Sequence, residues 1–370
     1  MPRRQRDRGA RRPVPGRTPL RRGGHARRGA GPGRGRAGPP APRRRRSLRA
    51  PGRVPPGDAG RAGGHPLNAT VFAPASIGNV GPGFDVLGLA VDGPGDEVRI
   101  ELVEGPSSVE EVSGLDAELI PREPESNVVT VAAAAMLRAL GDGRGVRVWL
   151  RKGIPHSGGL GGSAASAVAG AWAASAALGR DPRPVEVMAA ALTAEATVAG
   201  RHLDNIAACV LGGLTLVRST DPIDVVRVPL ARPLWVALVT PAVRVETRAA
   251  RAVLPPTMDR ASWVQQMANS AALVHGLATG DVGLVSRALV DGFAEPRRAS
   301  MIPRFAEIKR AALDAGALGA SISGAGPTVF ALAADVAVGA AALEAMRAAL
   351  GGMAGRTELA AVATRGARAL

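Results

Sequence analysis

Residues 97–103 (EVRIELV) alternate charged and apolar side chains, the period of a strand with one buried face, and residues 146–150 (VRVWL) repeat it. Between them, Asn127 to Leu140 is long, Ala-rich and free of Gly and Pro, which predicts a helix. Two more Ala-rich helices are predicted over Ala164 to Leu178 and Val185 to Ala199, with a strand near Leu214 to Arg218. Arg232-Pro233 marks a boundary. Beyond it the pattern predicts a buried strand over Leu234 to Thr240, then helices around Thr247 to Leu254, Trp263 to Leu277, Val282 to Phe293 and Phe305 to Ala315. Short apolar runs at Ala320 to Ile322, Thr328 to Ala333 and Leu359 to Thr364 predict the strands of a second sheet. The expected fold class is α+β, with one domain over residues 67–232 and a two-layer domain over 233–370. No repeat is evident, and the absence of a regular strand–helix alternation argues against a doubly wound nucleotide-binding fold.

With 46% hydrophobic residues, 370 residues suffice for a sizeable core. The net charge of +16 suggests nucleic acid or a membrane surface until its location is considered. Residues 1–66 hold 20 Arg and 2 Asp, a local charge of +18; subtracting them from 47 basic and 31 acidic residues leaves 27 and 29, a body charge of −2. This leader is almost entirely Arg, Gly, Pro and Ala, so disorder is expected there, and an upstream start codon in GC-rich DNA would account for it. It lacks a secretory apolar region, and no run of about 18 apolar residues suggests a membrane span. A cytoplasmic location is the expectation. One cysteine, Cys209, excludes an intramolecular disulfide and a cysteine zinc cage.

Three glycine-rich segments carry candidate chemistry. Ile154 to Ala165 (IPHSGGLGGSAA) follows a predicted strand and enters a predicted helix. Its glycines let the backbone approach a phosphate, while first-turn amides and the helix dipole favour negative charge. Ser163 stands where a hydroxyl can hold a metal or a phosphate oxygen. Lys152 and Lys309 are the only lysines and neither fits a Walker loop, so phosphate charge must be met by backbone, magnesium and arginine. The segment from Ala73 to Asp85 reads as a glycine-rich loop offering Asn79 and Asp85 to a small polar ligand. The run from Gly319 to Thr328 joins two predicted strands, where a tight turn alone would explain it.

Together, in this order, the segments resemble the three signature motifs of the GHMP small-molecule kinases, across nearly the whole body. The resemblance implies a two-domain fold, the N-terminal half ribosomal-protein-S5-domain-2-like and the C-terminal half a ferredoxin-like two-layer sandwich. It implies ATP as co-substrate, bound by Pro155, His156, Ser157, Gly158, Gly159, Leu160, Gly161, Gly162, Ser163, Ala164 and Ala165, with Mg2+ on Ser163 and Glu195. Further segments are similar to those of members acting on homoserine: His202 to Asn205 (HLDN), Thr247 to Arg251 (TRAAR) and Glu295 to Arg298 (EPRR). The implied acceptor is L-homoserine. Asn79, Asp85, Asp204 and Asn205 would hold its amino and hydroxyl groups, Arg251 and Arg298 its carboxylate, and Gly324 and Gly326 would also bind it. A planar guanidinium suits a carboxylate because it donates two parallel hydrogen bonds.

Asn205 stands where mevalonate-type relatives carry an aspartate base, so direct attack on the γ-phosphate is expected, the proton leaving late with help from Thr247. Asn205, Thr247 and Arg251 are the candidate catalytic residues. This sequence departs from the family in carrying Gly162 for a serine and Arg297 for an aromatic. The resemblance implies a homodimer. Rival expectations are a GHMP kinase acting on mevalonate or a sugar, and a nucleic-acid binder working through the leader. Aromatic residues make up 2% of the chain and are absent from the leader, which argues against nucleic acid as partner.

Overall fold

The computed structural model describes residues 67–198 and 200–370, so the leader and its expected disorder lie outside the described residues. The first elements are β1 (Asn68–Gly78), β2 (Leu87–Val103), β3 (Ser108–Gly114), α1 (Val128–Ala139), β4 (Gly145–Lys152), α2 (Gly162–Ala177), α3 (Pro184–Val198), α4 (Asp204–Leu211), β5 (Leu214–Thr220) and β6 (Ile223–Val228). Then come β7 (Trp235–Pro241), α5 (Thr247–Ala252), α6 (Arg260–Thr279), α7 (Val282–Ala288), α8 (Glu295–Arg298), α9 (Phe305–Asp314), β8 (Gly319–Ile322), β9 (Val329–Ala333), α10 (Val336–Ala349), β10 (Gly355–Ala361) and β11 (Arg368–Ala369).

The larger sheet runs β11-β1-β2-β4-β3, with β5 on β2 and β6 on β5. Only the β3–β4 pair is parallel. The smaller sheet, β10-β7-β9-β8, is antiparallel throughout. Arg232 and Pro233 lie in the link between β6 and β7, and β11 returns to the larger sheet beside β1. One core cluster draws on both sheets, from Val71 and Ile100 to Val236 and Phe330.

Helix α2 packs on β1 and β2 with twelve of its residues buried, all of them Ala, Gly, Ser or Val. Apart from the partly buried Trp172 its side chains are small, so β1, β2, α1, α3 and α4 all pack against it and fix its N-terminus in space.

Several predicted elements differ from those found. The segment Ala73–Asp85, read as a loop, begins as strand: β1 continues to Gly78, and the residues after it turn. Its glycines and proline mask the pairing, which β2 supplies with a register shift at Pro74/Ala75. The helix expected over Val282 to Phe293 stops at Ala288, because Asp291 accepts the amides of Phe293, Ala294 and Glu295 and starts α8 instead. The segment around Asp204 opens a helix, α4, and α10 was not among the predicted elements.

Candidate active site

β4 ends at Lys152 and α2 begins at Gly162, so the glycine run is the link between them. Gly161 caps α2 at φ 65, and a side chain there would lie 2.3 Å from Ser76 Oγ. A Cβ on Gly159, at φ 80, would lie 2.7 Å from the carbonyls of Ser323 and Gly326. The amides of Gly162, Ser163 and Ala164 have no acceptor inside the helix and form an anion cradle.

The second glycine loop holds the first. Ser323 Oγ donates to Gly159 O at 2.6 Å, and Thr328 Oγ1 to Gly158 O at 2.6 Å. From the other side, buried Lys152 pairs with buried Asp96 and donates to Gly162 O at 3.2 Å and Ser166 Oγ at 3.0 Å. Asp96 Oδ1 accepts the amides of Gly153 at 3.1 Å and Ile154 at 3.2 Å. The lysine is thus engaged with the frame of the loop. Burial, Lys152 and Arg244 lower the pKa of His156, which favours a neutral imidazole beside the loop.

Facing the loop across a cavity of about 600 Å³ stands a polar cluster. Asn79, at φ 67, is its hub: its amide donates to Asp204 Oδ2 at 3.1 Å, Nδ2 to Gly324 O at 3.1 Å, and Oδ1 accepts Asp85 N at 3.0 Å. Neighbouring Val80 sits at φ 47, unusual for a β-branched residue and a sign of strain stored in this turn. Arg298 is 3% exposed, donates to Ala250 O and Gly324 O at 2.9 Å each, and has no carboxylate partner among the described residues. Asp204 is 2% exposed; its Oδ1 has no hydrogen-bond partner among the described residues, with His202 Nδ1 3.7 Å away. Arg251 pairs with Asp85 at 2.6 Å. The Phe84 ring lies 5.4 Å from both guanidiniums and meets Phe293 edge-on at 5.2 Å.

Glu195 is 2% exposed and stands near enough to Ser163 for that hydroxyl to favour its charged form, while its Oε1 has no hydrogen-bond partner among the described residues. Burial pushes both Glu195 and Asp204 carboxyls above their ordinary range.

The sequence-derived candidates converge on this cavity: Asn79, Asp85, Glu195, Asp204, Asn205, Thr247, Arg251, Arg298, Gly324, Gly326 and most of the loop line it. Leu160 and Ala165 do not; both are buried in the core. The carbonyl of Gly324 serves Asn79 and Arg298, so this glycine orients the cluster. Sequence reasoning missed Phe84, Ser76 and the Asp96–Lys152 pair. A signal existed for the last: both lysines of a chain that otherwise uses arginine are engaged in ion pairs.

Fold and site have the arrangement of a phosphotransferase, a glycine loop at a helix N-terminus facing a polar cluster across one cavity. GHMP kinases N terminal domain matches residues 127–213, and GHMP kinases C terminal matches 273–352. The homoserine kinase of Chlorobium phaeobacteroides strain BS1 is 40% identical over 290 residues, covering 75% of this chain and 90% of the relative. That of Arabidopsis thaliana is 38% identical over 274 residues, covering 72% and 74%. The crystal structure of homoserine kinase from Cytophaga hutchinsonii superposes with a TM-score of 0.79 at 37% identity, covering 84% of this chain and 99% of that one. Mevalonate kinase of L. major, at 17% identity and TM-score 0.60, shares the fold. The chain belongs to the homoserine kinase family of the GHMP kinases.

Proposed function

We propose that the chain transfers the γ-phosphoryl group of ATP to the side-chain hydroxyl of L-homoserine, giving O-phospho-L-homoserine on the route to threonine. One observation carries this reading: among the described residues, a buried guanidinium without a carboxylate partner, Arg298, and a buried carboxylate oxygen without a hydrogen bond, on Asp204, are linked through Asn79 opposite the phosphate loop. Charges buried in this way need partners. A zwitterionic amino acid supplies both, its carboxylate to Arg298 and Arg251, its ammonium to Asp204, Asn79 and Asp85. Mevalonate has no cation and a neutral sugar has neither charge.

The donors for magnesium are Ser163 Oγ and Glu195, whose buried Oε1 lacks a hydrogen-bond partner among the described residues. No group of three or more His, Cys, Asp or Glu residues that would cage a metal occurs among the described residues. Two protein ligands suit an ion that keeps several waters and takes the rest of its shell from phosphates. Bound there, it would neutralise charge on the β- and γ-phosphates. The loop amides hold those phosphates in line, and the acceptor hydroxyl attacks directly, its proton leaving late to solvent with help from a hydrogen bond to Thr247. Asn205, an amide, donates a hydrogen bond to the reacting oxygens and takes no proton. A cytoplasmic homodimer completes the proposal; no described helix is long and apolar enough to cross a membrane.

The test is ADP release by the full chain with ATP and magnesium against L-homoserine, L-serine, L-threonine, mevalonate and galactose. A rate that depends on homoserine supports the proposal. Activity on mevalonate or galactose alone refutes the acceptor and keeps the kinase.

A further inference from the structure

Ser76, on β1, touches both halves of the active site. Its backbone N–H donates to Leu160 O in the phosphate loop at 3.0 Å, and its Oγ donates to Asn205 Oδ1 at 2.9 Å. Gly161, which caps α2, packs directly on this pair: a Cβ there would lie 2.3 Å from Ser76 Oγ and 2.9 Å from Asn205 Oδ1. Ser76 is fully buried, so no water competes for its hydroxyl. Behind it stands Cys209 Sγ, 3.1 Å from Pro74 O and 3.4 Å from Ser76 Oγ.

The donors and acceptors here settle which way the Asn205 amide faces. Burial pushes the Cys209 thiol up to about 12, so it stays an S–H group and donates to Pro74 O or Ser76 Oγ. Were the amide reversed, Ser76 Oγ would accept from Nδ2 and its own hydrogen would be left with sulfur, a weak acceptor. With Oδ1 turned to Ser76, each hydrogen meets an oxygen. Asn205 lines the cavity, and its Nδ2 makes no hydrogen bond among the described residues.

We infer that Ser76 is a positioning residue for phosphoryl transfer: by occupying Oδ1 of Asn205 it presents the Asn205 NH2 group, a donor, to the oxygens between which the phosphoryl group moves. The same residue ties that donor to the phosphate loop through Leu160, so the distance between donor and loop is set by one strand position. Asn205 is itself the residue that touches the reacting atoms; Ser76 acts through it. This inference rests on the phosphotransferase reading of the site.

Homoserine-dependent ADP release by the unsubstituted chain is measured first; its absence counts against the proposed function and leaves the geometry of Ser76 untouched. Ser76→Ala, Asn205→Ala and the double variant are then compared by kcat and by KM for ATP. Asn205→Ala and Ser76→Ala should each lower kcat, by about tenfold, with KM for ATP within about twofold, since the loop amides and not Asn205 hold the phosphates. The double variant should be no slower than Asn205→Ala alone. Effects that multiply overturn the inference, as does an Asn205→Ala enzyme of normal kcat. Should Ser76→Ala not fold, Asn205→Asp decides: its carboxylate accepts the same Ser76 hydrogen bond yet offers no donor, so kcat should fall at least as far as in Asn205→Ala. Normal turnover in Asn205→Asp overturns the inference.

Discussion

Arg251 Nη2 lies 2.6 Å from Asp85 Oδ1, so the two residues proposed to hold opposite ends of a zwitterion hold each other. An acceptor carrying both charges exchanges one ion pair for two. An acceptor with one charge leaves the other residue without its partner. Both side chains are about one-third exposed, so the pair adds little to stability, on the order of 0–1 kcal/mol. Arg251→Ala should therefore raise KM for homoserine by roughly tenfold or more while leaving the melting temperature within about 2 °C. Steady-state kinetics beside differential scanning calorimetry checks this, and a large fall in melting temperature would contradict it.

Arg298 is buried, and its planar fork serves the carbonyls of Ala250 and Gly324 at once. Lysine keeps the charge and loses that fork. Arg298→Lys should raise KM for homoserine about a hundredfold or more, in line with losses of about 2–5 kcal/mol for buried charge pairs. Isothermal titration with homoserine, alone and with a non-hydrolysable ATP analogue, would show the loss as affinity.

Phe84 lies 5.4 Å from the guanidiniums of both Arg251 and Arg298, and Phe293 abuts its edge. Ring and cations attract through the ring quadrupole, by about 0.5–1 kcal/mol per contact. Phe84→Leu keeps the apolar bulk and removes that attraction. KM for homoserine should rise roughly fivefold to thirtyfold with KM for ATP unchanged.

Asp96 and Lys152 are paired at 0% and 3% side-chain exposure, beneath the phosphate loop. Lys152→Met leaves a buried carboxylate without its cation, a loss of about 3–5 kcal/mol. Asp96→Asn in the same chain removes the stranded charge. Urea denaturation should show the double variant more stable than Lys152→Met alone; equal or lower stability would mean that the lysine contributes mainly through Gly162 and Ser166.

Cys209 is fully buried, its thiol pushed up to about 12. The native protein should resist iodoacetamide at pH 8 and react at once after unfolding. The folded pKa is raised above that of the unfolded thiol, so the associated stability is complete below pH ~9 and declines as pH climbs toward about 12. Cys209→Ala should flatten that alkaline limb of the melting-temperature profile.

Sequence alone determined the features that depend on neighbours along the chain. A glycine run between a strand and a helix presents first-turn amides and the positive end of the helix dipole, because amide direction and backbone freedom are local properties. The alternation at residues 97–103 and the Ala-rich helices are local in the same sense, and the ordered motifs pointed to the kinase family. Local pattern failed where pairing came from afar: β1 hides behind Pro74 and the motif's glycines until β2 covers it, and Asp291 ends a helix whose periodicity continues. Which charges would be left without partners was also decided by tertiary packing. Arg298 reaches Ala250, 48 positions away; Asn79 reaches Gly324, 245 away; Ser76 reaches Asn205, 129 away. Burial sets the energy of a charge, and burial is a property of the whole fold, so a buried Arg298 with no carboxylate partner and a buried Asp204 oxygen with no hydrogen bond among the described residues, the features that favour a zwitterion, emerge only once both sheets have closed around one cavity.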